Sequence, residues 1–159
     1  MNIEVREGRL EDSEFLAEGN IILARETEGL SLDRQTVLDG VRAVLKDARK
    51  GTYFVAEADG RPCGQLLITH EWSDWRNGDV WWIQSVYVLP EMRRAGVFRQ
   101  LHSEVRRMAI EAGAVGLRLY VERHNEAAQN TYARLGMSLT GYVVMEEMFG
   151  ASAPDCVTP

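Results

Sequence analysis

The segment TYFVAEADGRPCGQLLITHE, residues 52–71, constrains the fold more than any other part of the chain. Two apolar runs flank Asp59-Gly60, a pair that tolerates positive φ and closes an antiparallel hairpin. A second hairpin signal follows at Asn77-Gly78, just before the strongly β-prone run WWIQSVYVL, which Pro90 stops. The middle of the chain therefore reads as consecutive antiparallel strands.

Helical periods lie on either side. IEVREG alternates and predicts a short first strand. Asp12 or Ser13 can cap a helix with Phe15, Leu16, Gly19, Ile22 and Leu23 on one broad face, and Asp33 a second with Val37, Val41, Val44 and Leu45 inward. After Pro90 a helix begins near Gly96, with Val97, Leu101, Val105, Met108 and Ala112 at helical spacing. VGLRLYVE predicts a strand, Asn125 caps a helix that Gly136 closes, and MSLTGYVVMEEMF supplies one or two last strands. The order β-α-α-β-β-β-α-β-α-β(-β) is that of a mixed α/β domain spanning residues 1–149, with a tail, 150–159, expected to be disordered.

The formal net charge of -6 argues against nucleic-acid binding, which needs a basic face, and mildly favours cationic small molecules. The N-terminal residues lack the apolar core of a signal peptide, and no apolar run approaches the ~20 residues of a membrane span. Cys63 and Cys156 form neither a disulfide framework nor a metal-binding pattern, so a reducing cytoplasm is expected. His102 and His124 read as surface residues without metal-like spacing.

The chemistry concentrates in VYVLPEMRRAGVFRQLHSEV. A strand ends, a loop carries two arginines and a glycine, and a helix begins. Helix N-termini present unpaired N–H groups and partial positive charge, glycine admits a ligand close to the backbone, and arginine suits a diphosphate. The alternative is an ordinary connection with a solvated basic patch, and the loop by itself leaves the two even. Neither a Walker loop nor GxGxxG is present. The segment resembles the pyrophosphate-binding motif of the GNAT superfamily of N-acetyltransferases, [QR]-x-x-G-x-[GA]. Arg93 and Gly96 match it, and Phe98 stands where the family has a small residue. NEAAQNTYARLGM resembles the family's second motif through Asn125, Ala128, Tyr132 and Gly136. Two motifs in the family's order are far more specific than either alone.

The resemblance implies a central, mostly antiparallel twisted sheet with one splayed parallel pair, and acetyl-CoA as co-substrate without a metal. It places the pantetheine arm along Val86, Tyr87 and Val88. The pyrophosphate falls on Arg93, Arg94, Ala95, Gly96, Val97, Phe98 and Arg99, Asn125 lies near the pantetheine, and Tyr132 serves as proton donor to the leaving thiolate. The acceptor is expected to be a small cationic primary amine attacking directly. With an ammonium pKa of ~10, only about one amine in 10³ is neutral at pH 7, so the site must remove a proton. Gln84 occupies the position where many members carry a glutamate base. A two-residue turn at Asn77-Gly78 would put Glu71 opposite Gln84, Trp75 opposite Val80 and His70 opposite Ser85, making Glu71 the candidate base.

All four tryptophans lie within EWSDWRNGDVWW, residues 71–82. With Asp74, the indoles of Trp72 and Trp75 suit an ammonium ion. Cross-strand packing of Trp72 with Trp81 and Trp75 with Trp82, in the core or in a homodimer interface, is the alternative. Glu26 and Glu28 are further acceptor candidates. The competing functions are acetylation of a protein N-terminus or lysine, a non-catalytic acyl-CoA-binding regulatory module, and a structural interaction module.

Overall fold

A computed structural model of the chain describes residues 2–150, so nearly all of the tail expected to be disordered, with Cys156, lies outside the described residues. The chain divides into two compact units, Met1–Tyr120 and Val121–Pro159. The first contains β1 (Ile3–Glu7), α1 (Ser13–Glu28), α2 (Arg34–Lys46), β2 (Thr52–Ala58), β3 (Arg61–Ser73), β4 (Gly78–Val88), α3 (Val97–Glu111) and β5 (Gly116–Leu119). The second contains α4 (Glu126–Arg134). The sheet runs β1-β2-β3-β4-β5, antiparallel except for the parallel pair β4–β5. The mixed α/β class and the order of elements through α4 agree with the sequence.

Strand alternation divides the core between the two faces of this sheet. Phe54, Ala56, Leu66, Ile68 and Ile83 pack with Val97, Leu101 and Val105 of α3. Tyr53, Val55 and Leu67 pack with Leu16 and Ala17 of α1 and with Leu38 and Val41 of α2. Leu16, Leu66, Ile68 and Leu101 are fully buried, each contributing roughly 1.5–3 kcal/mol. Asp33 caps α2 as expected, accepting from the Thr36 amide at 2.8 Å. Asp12 does not cap α1 with its side chain. It takes both guanidinium nitrogens of Arg6, at 2.8 and 2.9 Å, while Arg6 also reaches Glu57 at 2.6 Å. Burial pushes the Asp12 carboxyl up, but the Arg6 bonds and the Arg9 amide outweigh it and hold the group below its ordinary value.

Three expectations are corrected. The second hairpin does not turn on two residues. Ser73 pairs with Gly78, leaving a loop of Asp74, Trp75, Arg76 and Asn77. The Arg76 amide donates to Ser73 O at 3.2 Å, the Trp75 amide to its neighbour Asp74 at 2.9 Å, and Asn77 completes the reversal at φ 48. Gly78 already belongs to the strand, where a Cβ would lie 2.4 Å from Val115 Cγ1. Glu71 consequently faces Val80, Trp72 faces Asp79 and His70 faces Trp81. The last strands are also not found: residues 138–149 carry none, and Leu139, Tyr142, Val143, Val144 and Met145 are exposed. β-propensity only fits a segment to a pleat, and a strand exists when a neighbour's backbone groups pair with it. Finally, His102 is buried, because the inward face of α3 is broad enough to take it alongside Leu101 and Val105.

Candidate functional site

The site is built on an irregularity in β4. Leu67 pairs with Gln84 but Gln65 pairs with Tyr87, so Leu66 alone opposes Ser85 and Val86. This is a β-bulge, and Ser85 adopts φ 51, unusual for a residue with a side chain. On the other side of β4, pairing with β5 runs only from Val80↔Gly116 to Ile83↔Leu119. The pairing stops there because β5 ends at Leu119, so residues 84–88 have no strand partner on that side among the described residues. The β5-facing backbone of residues 84–88 is thereby left as a sheet edge that an extended chain can join. Val86, Tyr87 and Val88 all lie on this edge.

The edge leads into the basic loop. Pro90–Met92 form a single 3₁₀ turn, Arg94 takes φ 66, and Gly96 takes φ 86 at the N-cap of α3. The Gly96 N-cap has no side chain to cap that helix, and the helix start carries the partial positive charge of its first turn. Arg94 and Arg99 are exposed and make no ion pair among the described residues. An uncapped helix start, a glycine and two available guanidinium groups fit the diphosphate of acetyl-CoA. Arg93 has another engagement. It donates to Val88 O at 3.1 Å and to Glu26 Oε2 at 2.7 Å, with its guanidinium 5.8 Å from the Tyr87 ring centre. Glu26, a candidate acceptor ligand, is thus the partner that ties Arg93 to α1.

Glu71 is far from the bulge. Val80, its partner, lies four residues before Gln84, about 13 Å along the strand. Its carboxylate accepts from Trp82 Nε1 at 2.7 Å and from Arg118 at 3.0 Å. The indole bond, then Arg118, hold it below the usual carboxylate range, which makes it a weaker proton acceptor. Gln84 donates to Thr69 Oγ1 at 2.6 Å. Trp72 and Trp75 are 62% and 84% exposed, and neither borders the cleft described next; Asp74 is in the same exposed loop. Trp81 packs edge-on to His70, and Trp82 lies 4.6 Å from Tyr120, so the expected tryptophan pairs do not form.

A cleft of about 430 Å³ opens between α1, α2 and the sheet, with Glu28, Tyr53 and Ser85 among its lining residues. It contains a polar chain that the sequence reading missed. Gln65 Nε2 donates to Leu16 O at 3.2 Å and to Asn20 Oδ1 at 2.9 Å. Asn20 Nδ2 donates to the Tyr53 phenol at 3.0 Å, and Tyr53 also hydrogen-bonds to Ser85. The signal for these residues was present: Gln65 and Ser85 are polar interruptions in the apolar runs CGQLLI and IQSVYV.

In the second unit, Asn125 Oδ1 accepts from the Ala128 amide at 3.1 Å and caps α4. Gln129 braces the preceding turn through Glu122 O and Arg123 O. Gly136 ends the helix at φ 90, with the Leu135 and Met137 amides both donating to Tyr132 O. Burial pushes the Tyr132 phenol above its ordinary value, keeping it protonated at neutral pH. Among the described residues no cluster of three His, Cys, Asp or Glu stands ready to hold a metal, and no helix is long and apolar enough to cross a membrane.

The chain resembles known proteins in sequence and in fold. A family model described as the acetyltransferase (GNAT) family matches residues 21–137. Thialysine N-epsilon-acetyltransferase of Bos taurus is 28% identical over 87 residues, 52% of this chain and 51% of that protein. The chain thus spans about half the length of this curated relative. A crystal structure of "a possible acetyltransferase from Clostridium difficile 630" matches with a TM-score of 0.86 at 43% identity, over 94% of this chain and 99% of that one. The fold also matches that of a "predicted acetyltransferase with acetyl-CoA from Clostridium acetobutylicum", with a TM-score of 0.75 at 14% identity, over 92% and 96% of the two chains.

Proposed function

The chain belongs to the acetyltransferase (GNAT) family, and from that membership we propose that it transfers an acetyl group from acetyl-CoA to a small primary amine, cationic in solution. The observation that carries this reading is the continuity of the opened β4 edge, residues 84–88, with the uncapped, glycine-led start of α3. An extended arm ending in a diphosphate needs those two features in that order. The backbone of Val86 to Val88 pairs with the pantetheine, and the amides of Val97 to Arg99, with Arg94 and Arg99, hold the diphosphate. Arg93 acts as a brace between this loop and Glu26.

The amine nitrogen attacks the thioester carbonyl carbon, forming the C–N bond. The Val86 amide stabilises the oxygen as it gains charge. The C–S bond then breaks, and the thiolate takes a proton from Tyr132, whose raised phenol suits a donor that must stay protonated until that moment. The proton released from the amine goes to Glu28, the carboxylate on the cleft wall, directly or through water. Glu71 has lost the register that made it the candidate base. The test is titration calorimetry with acetyl-CoA, followed by mass spectrometry of the products formed with amines. Absence of acetyl-CoA binding at low salt overturns the reading.

A further inference from the structure

We propose that the acceptor is a monoamine with an apolar body, seated in the cleft between α1, α2 and the sheet with its nitrogen at Ser85; this rests on the acetyltransferase reading above. The walls are hydrocarbon: Leu23, Leu32, Val41, Val44 and Leu67. One part of the lining is polar but uncharged, formed by the hydrogen-bonded residues Asn20, Tyr53 and Ser85. Among the described residues Glu28 is the one charged residue lining the space, and it is exposed. The volume, about 430 Å³, is in the range of pockets that enclose small organic ligands.

The chemistry of recognition follows from how this lining treats charge. Gln65, which is fully buried, fixes Asn20, Asn20 fixes Tyr53, and Tyr53 bonds Ser85. The Ser85 bond lowers the Tyr53 pKa, as a hydroxyl donated to the phenol oxygen does, which leaves the serine oxygen to accept from the N–H of a ligand. Such a lining binds a nitrogen by hydrogen bonds without a counter-charge. Desolvation there favours the neutral amine over the ammonium, and the neutral form is the nucleophile. Ser85 immediately precedes Val86, on the edge assigned to the pantetheine, so the nitrogen seated there is next to the transferable acetyl group. A polyamine would have to strip water from a second ammonium against leucine and valine, with a single carboxylate to meet it. An amine carried on an aliphatic or aromatic body meets no such cost.

The experiment follows thiol release and product mass with the full chain, acetyl-CoA and four acceptors: hexylamine, 2-phenylethylamine, spermidine and a lysine-containing peptide. The expected result is a kcat/KM for both monoamines at least about tenfold above that for spermidine or the peptide. Leu32→Glu places a second carboxylate on the wall at a half-exposed position, where folding is not at stake. It should lower kcat/KM for hexylamine by about tenfold, chiefly through KM, and raise that for spermidine, with the Kd for acetyl-CoA unchanged. Preference for spermidine or the peptide, or an unchanged acceptor ratio in Leu32→Glu, overturns the proposal while leaving acetyl transfer intact. Bound acetyl-CoA with no thiol released by any acceptor overturns acetyl transfer itself, and the acceptor proposal with it.

Discussion

His102 is nearly inaccessible, its Nε2 has no hydrogen-bond partner among the described residues, and its ring lies 6.1 Å from that of Phe98. Burial, and secondarily Arg106, lower its pKa. The unfolded chain therefore takes up a proton first as pH falls. The stability due to the neutral ring is complete above about pH 6.5 and is lost as pH drops toward the folded value. His102→Leu should flatten the dependence of melting temperature on pH between 7 and 5; an unchanged slope would show that another group sets it. Periodicity could not place His102, because Leu101 and Val105 identify the face but not its width, and a neutral imidazole can border a core. Tyr132 was singled out by its place in the second motif. Tyr132→Phe keeps the ring and removes the proton, so kcat should fall on the order of 10²-fold with acetyl-CoA affinity retained. A rate-limiting chemical step with unchanged kcat would remove the phenol from the mechanism.

Among the elements, the start of α3 was the most legible feature, because a strand, a stop, arginines and a glycine follow each other within one short segment. At Gly96, φ 86 makes any side chain strained, and a Cβ would project toward the Arg99 guanidinium at 3.4 Å. Gly96→Val should weaken acetyl-CoA binding about tenfold or more by calorimetry with the sheet intact, and equal affinity would show that the diphosphate lies elsewhere. The β3–β4 hairpin was misread for a specific reason. Asn77-Gly78 has the composition of a two-residue turn, but Gly78 is there to make room for Val115, a residue distant in sequence. Contacts of that kind leave no local trace. With the corrected register, Glu71→Gln removes a carboxylate shared by Trp82 and Arg118. It should leave the pH profile of acetylation unaltered and cost under about 1 kcal/mol of stability, as exposed ion pairs do. A displaced profile would return Glu71 to the role of base. Ser85 stands out as a polar interruption of its run, but the bulge there could not be read, because a bulge depends on how Leu66 of the neighbouring strand pairs.

For the molecule as a whole, the class of fold could be read because turns and alternation are local, and the cleft between α1, α2 and the sheet could not, because it is made by side chains from α1, α2, β2, β3 and β4 together. The placement of the tryptophans has a spectroscopic consequence. All four lie in residues 72–82, and none in the unit Val121–Pro159. Trp72 and Trp75 are exposed, while Trp81 and Trp82 are partly shielded. Iodide should quench the first pair and spare much of the second, giving a curved Stern–Volmer plot that becomes linear in the double variant Trp72→Phe, Trp75→Phe. Intrinsic emission then reports one end of the β3–β4 hairpin, whereas far-ultraviolet dichroism reports every helix and strand, so the two need not yield the same transition.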